Sequence, residues 1–368
     1  GKWTTGKYHQ AFSVSMRYFS GTVAASYGII EGYVGIENGT VAEVSEGKCP
    51  GVPEKQGLIS LPFVNCHTHC ADGGLRIPEG IGLEELVAPP SGLKHRYLRE
   101  SSEETLAENM RNFAKTSYGN GIDTFVDFRE SGVKGSRLLR EAVPGAFILG
   151  RPESEEFDPN EIDAILEYAD GIALSGISDI PVKFAESVAD YVIKKGKTFA
   201  LHASEAKRED IDAVLSLSPD FLVHMSSAGK LDILKCADAG VPIVSCPRSN
   251  RFFGIVPPLA LMQECGAEIC LGTDNAMLSA PDMRAEAAEF VRVLEAQGGD
   301  SSAVWNIMTR NGRKILYDGN RIGLQPGTEA DIVILPSEHG GTEGALESAG
   351  PVIRIGHAKG RETENGLQ

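Results

Sequence analysis

Short apolar runs alternate with amphipathic helical segments through residues 58–324, and no other feature of the sequence restricts the fold as much. In one helical segment, 181–195, Phe184, Val188, Tyr191 and Val192 fall on one face. The apolar runs are predicted strands: Leu58–Cys66, Asp123–Phe128, Ala146–Gly150, Gly171–Leu174, Thr198–His202, Phe221–His224, Pro242–Cys246 and Glu268–Gly272. Eight strand–helix units over about 260 residues are typical of a (β/α)8 TIM barrel, an α/β fold. An open doubly wound sheet is disfavoured because no G-x-G-x-x-G follows the first run.

Both ends of the chain predict a second, smaller unit made of strands. Residues 33–44 alternate apolar and polar side chains around Asn38-Gly39, a dipeptide typical of a tight β-hairpin. Strand character returns at 330–335 and 351–355. We therefore predict a barrel over residues 58–324, inserted into a small β-sandwich domain formed by residues 1–57 and 325–368.

Charge and cysteine content narrow the class of partner. The chain has 35 basic and 51 acidic residues, a net charge of −16, which argues against a nucleic acid or an anionic membrane as the main partner. Its seven cysteines include no C-x-x-C pair, and no apolar run approaches the ~18 residues of a membrane span. We expect a cytoplasmic protein that acts on a small molecule, and homo-oligomerisation stays open.

A pair of histidines ends the first predicted strand. His67 and His69 stand two residues apart, and positions i and i+2 of a strand point to the same face. Two imidazoles on one face suit two ligands of one metal ion, although a His-x-His pair also arises by chance. Cys66 and Cys70 flank the pair, and strand alternation predicts that Cys66 points away from the barrel mouth as a buried, small apolar residue.

Further candidate ligands end other predicted strands. His202 and His224 close the fifth and sixth strands, and Asp274 follows the eighth. A TIM barrel brings the C-terminal ends of its strands to one mouth, so these side chains are expected to meet His67 and His69 there. The alternative is that all five are hydrogen-bonded polar groups of the core. The remaining histidines are expected to be structural: His9, His95, His339 and His357.

With these motifs the chain resembles the amidohydrolase superfamily of metal-dependent hydrolases. The matching segments occur in family order: Leu61-Pro-Phe-Val-Asn-Cys-His-Thr-His, Leu201-His-Ala-Ser-Glu, Val223-His, Ser245-Cys-Pro-Arg-Ser-Asn, Leu271-Gly-Thr-Asp-Asn-Ala-Met and Gly323-Leu-Gln-Pro-Gly-Thr-Glu-Ala-Asp-Ile-Val. The His-x-x-Glu after the fifth strand and the Cys-Pro-x-Ser-Asn after the seventh resemble the branch of nucleobase, nucleoside and related aminohydrolases.

The resemblance implies a mononuclear site in which His67, His69, His202 and Asp274 hold one divalent ion. Binuclear members of the superfamily use a modified lysine at the fourth strand, and residues 170–176 contain no lysine. Three imidazoles and a carboxylate suit zinc, and iron and other first-row ions accept the same ligands. Zinc is the expected cofactor, with iron as the alternative.

The resemblance also implies catalytic roles. Asp274 would orient a water besides binding the metal, and hydroxide generated at the metal would attack an amino-substituted heterocycle. His224 would contact the water or polarise the substrate. Glu205 would protonate a ring nitrogen and help ammonia to leave; the alternative for Glu205 is a solvated acid beside Lys207 and Arg208. The implied enzyme is a deaminase, a hydrolase of C–N bonds other than peptide bonds in cyclic amidines.

Arginines at the predicted mouth give an indication of the charge of the substrate. Arg129 and Arg151 end the second and third strands, and Arg248 and Arg251 follow the seventh. Cations at this face of an acidic protein indicate a substrate with a carboxylate or phosphate, and Arg129, Arg151 and Arg248 are the candidate binding residues. Salt bridges to nearby acidic residues are the alternative.

The chain departs from the family at one specificity segment. Many adenosine-type deaminases of this branch have a His-x-Pro-Tyr-like segment after the fourth strand, where this chain has Ser175-Gly-Ile-Ser-Asp-Ile-Pro, which argues against a purine nucleoside. Residues 71–99 form a long connection that predicts a functional lid. Two other functions stay open. The first is a hydrolase of the same fold that opens a cyclic amide, as imidazolonepropionase does, or that attacks another C–N bond. The second is a metal-binding barrel without catalysis.

Overall fold

The computed structural model describes residues 16–88, 90–316, 323–336, 341–348 and 350–356, whose strands form two sheets. The strands are β1 (Arg17–Ala25), β2 (Gly28–Glu37), β3 (Thr40–Glu46), β4 (Lys55–Ser60), β5 (Phe63–His69), β6 (Ile122–Arg129), β7 (Phe147–Gly150), β8 (Gly171–Leu174), β9 (Thr198–Ala203), β10 (Phe221–His224), β11 (Ile243–Ser245), β12 (Ile269–Leu271), β13 (Asp274–Asn275), β14 (Ile332–Leu335) and β15 (Ile353–Ile355).

The larger sheet is the wall of a parallel barrel. Its order is β12-β11-β10-β9-β8-β7-β6-β5-β13, so each strand from β5 to β12 lies beside its neighbour in sequence. The short strand β13 follows β12 directly in the chain and pairs with β5, with Asp274 opposite Thr68 and Asn275 opposite His69. The eighth strand and its continuation thus join the two ends of the sheet, and the predicted (β/α)8 barrel is confirmed.

Helices surround the barrel and cover it with their apolar faces. They are α1 (Leu83–Val87), α2 (Leu93–Glu100), α3 (Glu103–Gly119), α4 (Gly132–Ala142), α5 (Pro159–Leu166), α6 (Val182–Lys194), α7 (Ile211–Ser216), α8 (Lys230–Asp238), α9 (Pro247–Phe252), α10 (Leu259–Glu264), α11 (Met283–Ala296), α12 (Val304–Asn306), α13 (Gly312–Leu316) and α14 (Gly341–Glu347). The predicted face of α6 is buried at Phe184, Val188 and Val192. Within the described ranges, no helix combines the length and apolarity needed to span a bilayer.

The predicted strand Leu58–Cys66 is wrong in one respect: it is two strands in different sheets. β4 ends at Ser60 and pairs with β1 and β14 of the smaller sheet, whereas β5 begins at Phe63 in the barrel. Leu61 and Pro62 connect them, and a proline nitrogen has no hydrogen to give to a sheet. The predicted boundary between residues 57 and 58 therefore falls inside β4.

The smaller sheet combines strands from both ends of the chain. Its order is β15-β14-β4-β1-β2-β3, a single sheet in the described part of the chain. The predicted hairpin is confirmed between β2 and β3, where Asn38 and Gly39 have φ angles of 52° and 72°. Two consecutive positive φ angles are what a type I′ turn requires.

The connection between β5 and α3 lies over one side of the barrel mouth. It contains a 3-10 turn at Cys70–Gly74 followed by α1 and α2. Leu86 and Leu98 of these helices are buried. We refer to residues 71–99 as the lid segment.

Candidate active site

β5 brings two histidines to the barrel mouth. All residues of Phe63–His69 are buried, and the ring centres of His67 and His69 lie 4.9 Å apart. The pairing of β5 with β6 shifts register between Asn65 and Thr68, so strict alternation does not hold along this strand. Cys66 is buried in an apolar cluster with Val126 and Phe128, which confirms the prediction of a buried, small apolar residue.

β12 ends in direct contact with the backbone of His67. A Cβ on Gly272 would lie 2.7 Å from the Cβ of His67 and 2.8 Å from its backbone nitrogen. Side-chain atoms essentially never approach this closely, so glycine is required at this position. The close approach allows the chain to continue to Asp274 in β13, beside β5.

Three more candidate ligands stand at the ends of other strands. His202 lies in β9, His224 ends β10 and Asp274 begins β13. His224 and Asp274 have left-handed backbone conformations, with φ angles of 77° and 60°. Such angles are uncommon outside glycine and concentrate at functional sites.

These five side chains form one cluster. The candidate ligand atoms of His67, His69 and His202 all lie within 4.8 Å of one another, as do those of His67, His224 and Asp274. Asp274 Oδ1 lies 3.2 Å from His67 Nε2 and 3.7 Å from His69 Nε2. Because His67 belongs to both groups, they form one site rather than two.

The outer nitrogens of two histidines face hydrogen-bond acceptors. His69 Nδ1 lies 3.0 Å from the carbonyl oxygen of Phe128 and 2.8 Å from Glu130 Oε1. His202 Nδ1 lies 3.1 Å from the carbonyl oxygen of Leu174. Acceptors at Nδ1 place the hydrogen there, so each Nε2 keeps its lone pair for a metal.

Burial sets the charge states of the cluster. It lowers the pKa of His67 to about 3, and burial and the neighbouring imidazoles hold the pKa of His202 well below its usual value. Burial acts against ionisation of Asp274. The contact of Asp274 with His67, together with the other nearby imidazoles, outweighs burial and holds the pKa of this carboxyl well below its usual range. The cluster therefore combines neutral imidazoles at His67 and His202 with an ionised carboxylate at Asp274.

Buried atoms without partners fit a metal ion. His67 is fully buried, yet neither of its ring nitrogens makes a hydrogen bond in the described structure. A buried polar atom without a partner is unfavourable by about 1–3 kcal/mol, and coordination to a cation would remove that penalty. Three imidazoles and one carboxylate are ligands that zinc accepts, and iron accepts the same set.

Glu205 lies at the rim of the cluster. Its Oε1 is 3.5 Å from His224 Nε2, and a quarter of its side chain is exposed. Burial raises the pKa of this carboxyl, although the nearby His224 acts in the opposite direction. Glu205 is thus next to the candidate ligands, accessible from the mouth, and biased toward its protonated form.

The arginines differ in their pairing. Arg129 is 1% exposed and paired with Asp127 and Glu130, so its surroundings match the salt-bridge alternative. Arg248 lies 3.5 Å from Glu286 Oε2 and donates to the carbonyl oxygen of Ala280. Arg251 pairs with Glu289 at 2.8 Å.

Arg151 is the exception among these arginines. It is partly buried, and its guanidinium makes no ion pair or side-chain hydrogen bond within the described ranges. Burial lowers its pKa, while Glu130, Asp179 and Glu155 are near enough to oppose that shift. A desolvated guanidinium without a direct partner is available to an anionic ligand.

Three residues with roles at this site were not singled out from the sequence. Ser249 donates to Asp274 Oδ2 at 2.5 Å, and its place in the Cys-Pro-x-Ser-Asn motif was the available signal. Glu130 contacts His69 directly and immediately follows the second barrel strand. Lys94 of the lid segment lies 2.5 Å from Glu130 Oε1, a contact between distant segments that no local pattern indicates.

The remaining histidines lie elsewhere. His95, in α2, has its Nε2 3.1 Å from the carbonyl oxygen of Val87. Burial lowers the pKa of His95 to about 4. His9, His339 and His357 lie outside the described residues.

Comparison with known proteins agrees with this geometry. Residues 58–347 match the model of the amidohydrolase family. A protein of Archaeoglobus fulgidus that bears the provisional name of an aminohydrolase is 34% identical over 273 residues, covering 74% of this chain and 78% of that one. A 5-methylthioadenosine/S-adenosylhomocysteine deaminase of Halobacterium salinarum is 24% identical over 284 residues, covering 72% of this chain and 63% of that one.

A solved structure shares the fold. The adenosine deaminase of Xanthomonas campestris, with bound zinc, superposes with a TM-score of 0.68 at 17% identity, covering 88% of this chain and 85% of that one. At this identity the likeness concerns the fold alone. The family match spans most of the chain and includes every strand of the barrel, and on this basis the chain belongs to the amidohydrolase family.

Proposed function

We propose that this protein is a metal-dependent aminohydrolase that releases ammonia from an amino-substituted heterocycle carrying an anionic group. The observation that supports this most is the position of Glu205, 3.5 Å from His224 at the rim of the histidine–aspartate cluster. A metal-ligand set alone is common to many hydrolases, whereas an accessible, protonatable carboxyl beside it suits the proton transfers of deamination.

The cofactor is one divalent ion, zinc in the first instance, held by His67, His69, His202 and Asp274. Held there, such an ion would lower the pKa of water to about 7 and would so supply hydroxide at neutral pH. Phe128, Glu130 and Leu174 hold the outer nitrogens of two of these histidines, which fixes the direction of their inner lone pairs.

Asp274 has a second task besides binding the ion. Ser249 donates a hydrogen bond to its Oδ2, while Oδ1 faces the imidazoles of His67 and His69. Because both oxygens are fixed, the carboxylate can accept a hydrogen bond from water in a defined direction. His224 lies within the same group of ligand atoms as Asp274 and next to Glu205, where it can contact the same water or the substrate.

Glu205 accounts for the proton balance. In the net reaction, water and the aminated ring give a ring carbonyl and ammonia, so one proton must reach the ring nitrogen and another the departing amino group. The raised pKa of Glu205 keeps its carboxyl protonated at higher pH than an exposed glutamate. It can therefore give its proton to the ring nitrogen, pass one proton of water to the leaving amino group as the C–N bond breaks, and take back the second proton of water, so that the carboxyl ends protonated as it began.

The relatives support the reaction class rather than a substrate. The 34% identical protein of Archaeoglobus fulgidus is named for aminohydrolase activity, and the more distant relative of Halobacterium salinarum for deamination of two adenosine derivatives. We infer a small-molecule substrate with a carboxylate or phosphate, because Arg151 offers a guanidinium without a direct partner near the end of β7.

The test is ammonia release by zinc-reconstituted protein across aminopurines, aminopyrimidines and pterins, each with neutral and anionic derivatives. We expect Glu205→Gln to keep its zinc and to lose about 10²–10⁴-fold in turnover, the usual contribution of general acid–base catalysis. Glu186→Gln, on the exposed surface of α6, is the matched control and should behave as wild type.

Two results would contradict the proposal. Unchanged turnover in Glu205→Gln would remove Glu205 from the mechanism. Zinc-loaded protein that releases no ammonia from any substrate of the panel, but opens a cyclic amide, would establish the ring-opening alternative.

A further inference from the structure

A buried ammonium group connects the lid segment to the barrel. Lys94, in α2, is 3% exposed. Its Nζ lies 2.5 Å from Glu130 Oε1 and 4.0 Å from Asp72 Oδ2. A lysine is rarely buried to this extent unless it is paired, because removing its charge from water is unfavourable. The pairing therefore holds only while α2 lies against the barrel.

The first partner of Lys94 touches a candidate metal ligand. Glu130 Oε1 also lies 2.8 Å from His69 Nδ1, so one oxygen is within ion-pair distance of both the lid segment and the imidazole. Its other oxygen accepts from Arg129, which is itself held by Asp127. Without Lys94, Arg129 would still hold the other oxygen of Glu130, and the carboxylate would be free to turn away from His69.

The second partner contacts the segment that contains Asp274. Asp72 Oδ2 accepts a hydrogen bond of 2.7 Å from Asn275, the residue after Asp274, and Oδ1 accepts one of 2.9 Å from the backbone of Met277. Lys94 thus approaches two carboxylates, each of which contacts a segment that contains a candidate ligand. Neither carboxylate belongs to the candidate ligand set.

We propose that Lys94 is a positioning residue that links closure of the lid segment to the metal site. With the lid closed, Lys94 fixes Glu130 where it holds the His69 imidazole, and metal bound by His69 in turn favours the closed lid. The inference rests on the metal site of the proposed function. Coupling of this kind is reciprocal, so the effect of metal on the lid and the effect of the lid on metal affinity must have the same size.

The first measurement is hydrogen–deuterium exchange of peptides covering residues 76–100, with and without Zn²⁺. In wild type we expect zinc to slow exchange of these peptides by about tenfold, within the usual range of coupling between sites. In Lys94→Met, which keeps the length of the side chain and removes its charge, zinc should leave the exchange rate almost unchanged.

The second measurement is the zinc dissociation constant, from competition with a chromophoric chelator. We expect Lys94→Met to raise it about tenfold, as loss of an outer contact to a metal ligand commonly does. Removing a nearby positive charge would by itself tighten the binding of a cation. Weaker binding therefore indicates positioning and opposes the electrostatic expectation.

Three further variants separate positioning from charge and from general destabilisation. Lys94→Met combined with Glu130→Gln preserves the net charge, and its dissociation constant should match that of Lys94→Met because both residues act along one path. Lys94→Arg should retain part of the zinc-dependent protection. Lys230→Met breaks a surface pair of the same 2.5 Å distance, with Glu264, and should behave as wild type in both measurements.

Each outcome decides between the two proposals. If wild type binds no zinc, the proposed function and this inference both fail. If wild type binds zinc and releases ammonia but its lid exchange does not respond to zinc, the inference fails and the function stands. Equal or tighter zinc binding by Lys94→Met, or a double variant ten times weaker than the single one, also overturns the inference.

Discussion

Charge pairing of single side chains distinguishes Arg151 from the other arginines near the barrel mouth. Arg129 is enclosed by two carboxylates, Arg251 pairs with Glu289, and Arg248 lies beside the carboxyl of Glu286. Arg151 has none at ion-pair distance in the described structure, although burial lowers its pKa. A guanidinium that the fold has already partly desolvated gains most from a partner that arrives with the ligand, because part of the desolvation penalty of binding has already been met on folding.

We therefore predict that Arg151→Met raises KM for an anionic substrate about tenfold or more and changes KM little for the neutral analogue. The reason is that only the anionic group loses its charge-assisted hydrogen bonds. Steady-state kinetics on a matched pair of substrates from the ammonia screen would measure this. Arg248→Met is the control, because its partner Glu286 belongs to the protein. An equal change for both substrates would leave Arg151 with a structural role.

The sequence could indicate the candidate ligands but not the residues that support them. His67, His69, His202, His224 and Asp274 lie at strand ends, and the geometry of a barrel brings strand ends together without knowledge of loop structure. Glu130 and Lys94 meet only after the lid segment packs against the barrel, and that packing depends on contacts between distant segments. Whether an arginine pairs with protein or ligand is decided by such contacts as well.

At the scale of elements, the position of the metal site depends on how closely β12 approaches β5. Gly272 lies against the backbone of His67. Two residues later, Asp274 contacts both histidines of β5. Any side chain at Gly272 would push these strands apart at the point where the barrel closes. The site and the closure of the barrel therefore depend on the same glycine.

Gly272→Ala is expected to lower both zinc affinity and stability. Its Cβ would lie 2.7–2.9 Å from three atoms of His67, two of them backbone, and overpacking of this kind is unfavourable by about 1–3 kcal/mol. Gly119→Ala, at the end of α3 with open space around it, should be neutral or slightly stabilising. Urea unfolding and chelator competition on both variants test the prediction. Wild-type zinc affinity in Gly272→Ala would show that β12 and β5 can separate without disturbing the ligands.

Element boundaries were less predictable than element types. Leu58–Cys66 is one apolar run in the sequence, yet it contains the end of β4 and most of β5 in different sheets. The end of β4 and all of β5 are buried, so the sequence stays apolar across Leu61–Pro62, where the chain passes from one sheet to the other. The pattern of apolar residues therefore does not reveal this boundary. The proline was the local indication, since it cannot donate to a ladder.

For the whole molecule, charge determines how stability varies with pH. The net charge of −16 increases in magnitude as pH rises, and this self-repulsion acts over the entire surface. Inside the fold, Glu286 on α11 is fully buried, and burial raises its pKa to about 8, against the opposing effect of Arg248. Its carboxyl accepts a hydrogen bond from the backbone of Arg248, at the start of α9, which also contains Ser249.

The buried carboxyl should make the folded state lose stability through neutral pH. Below about pH 4.5, Glu286 is protonated in both the folded and the unfolded chain, so it adds no pH dependence there. Between that pH and about 8, only the folded chain keeps the proton, and the free energy of unfolding falls by at most about 1.4 kcal/mol per pH unit.

Glu286→Gln cannot titrate and keeps an oxygen that can accept a hydrogen bond from the Arg248 backbone. Urea unfolding at pH 6.5 and pH 9 should therefore show a larger fall for wild type than for Glu286→Gln, by up to about 2 kcal/mol. Because the surface charge is shared by both proteins, parallel pH dependences would mean that Glu286 is already ionised in the fold at pH 6.5.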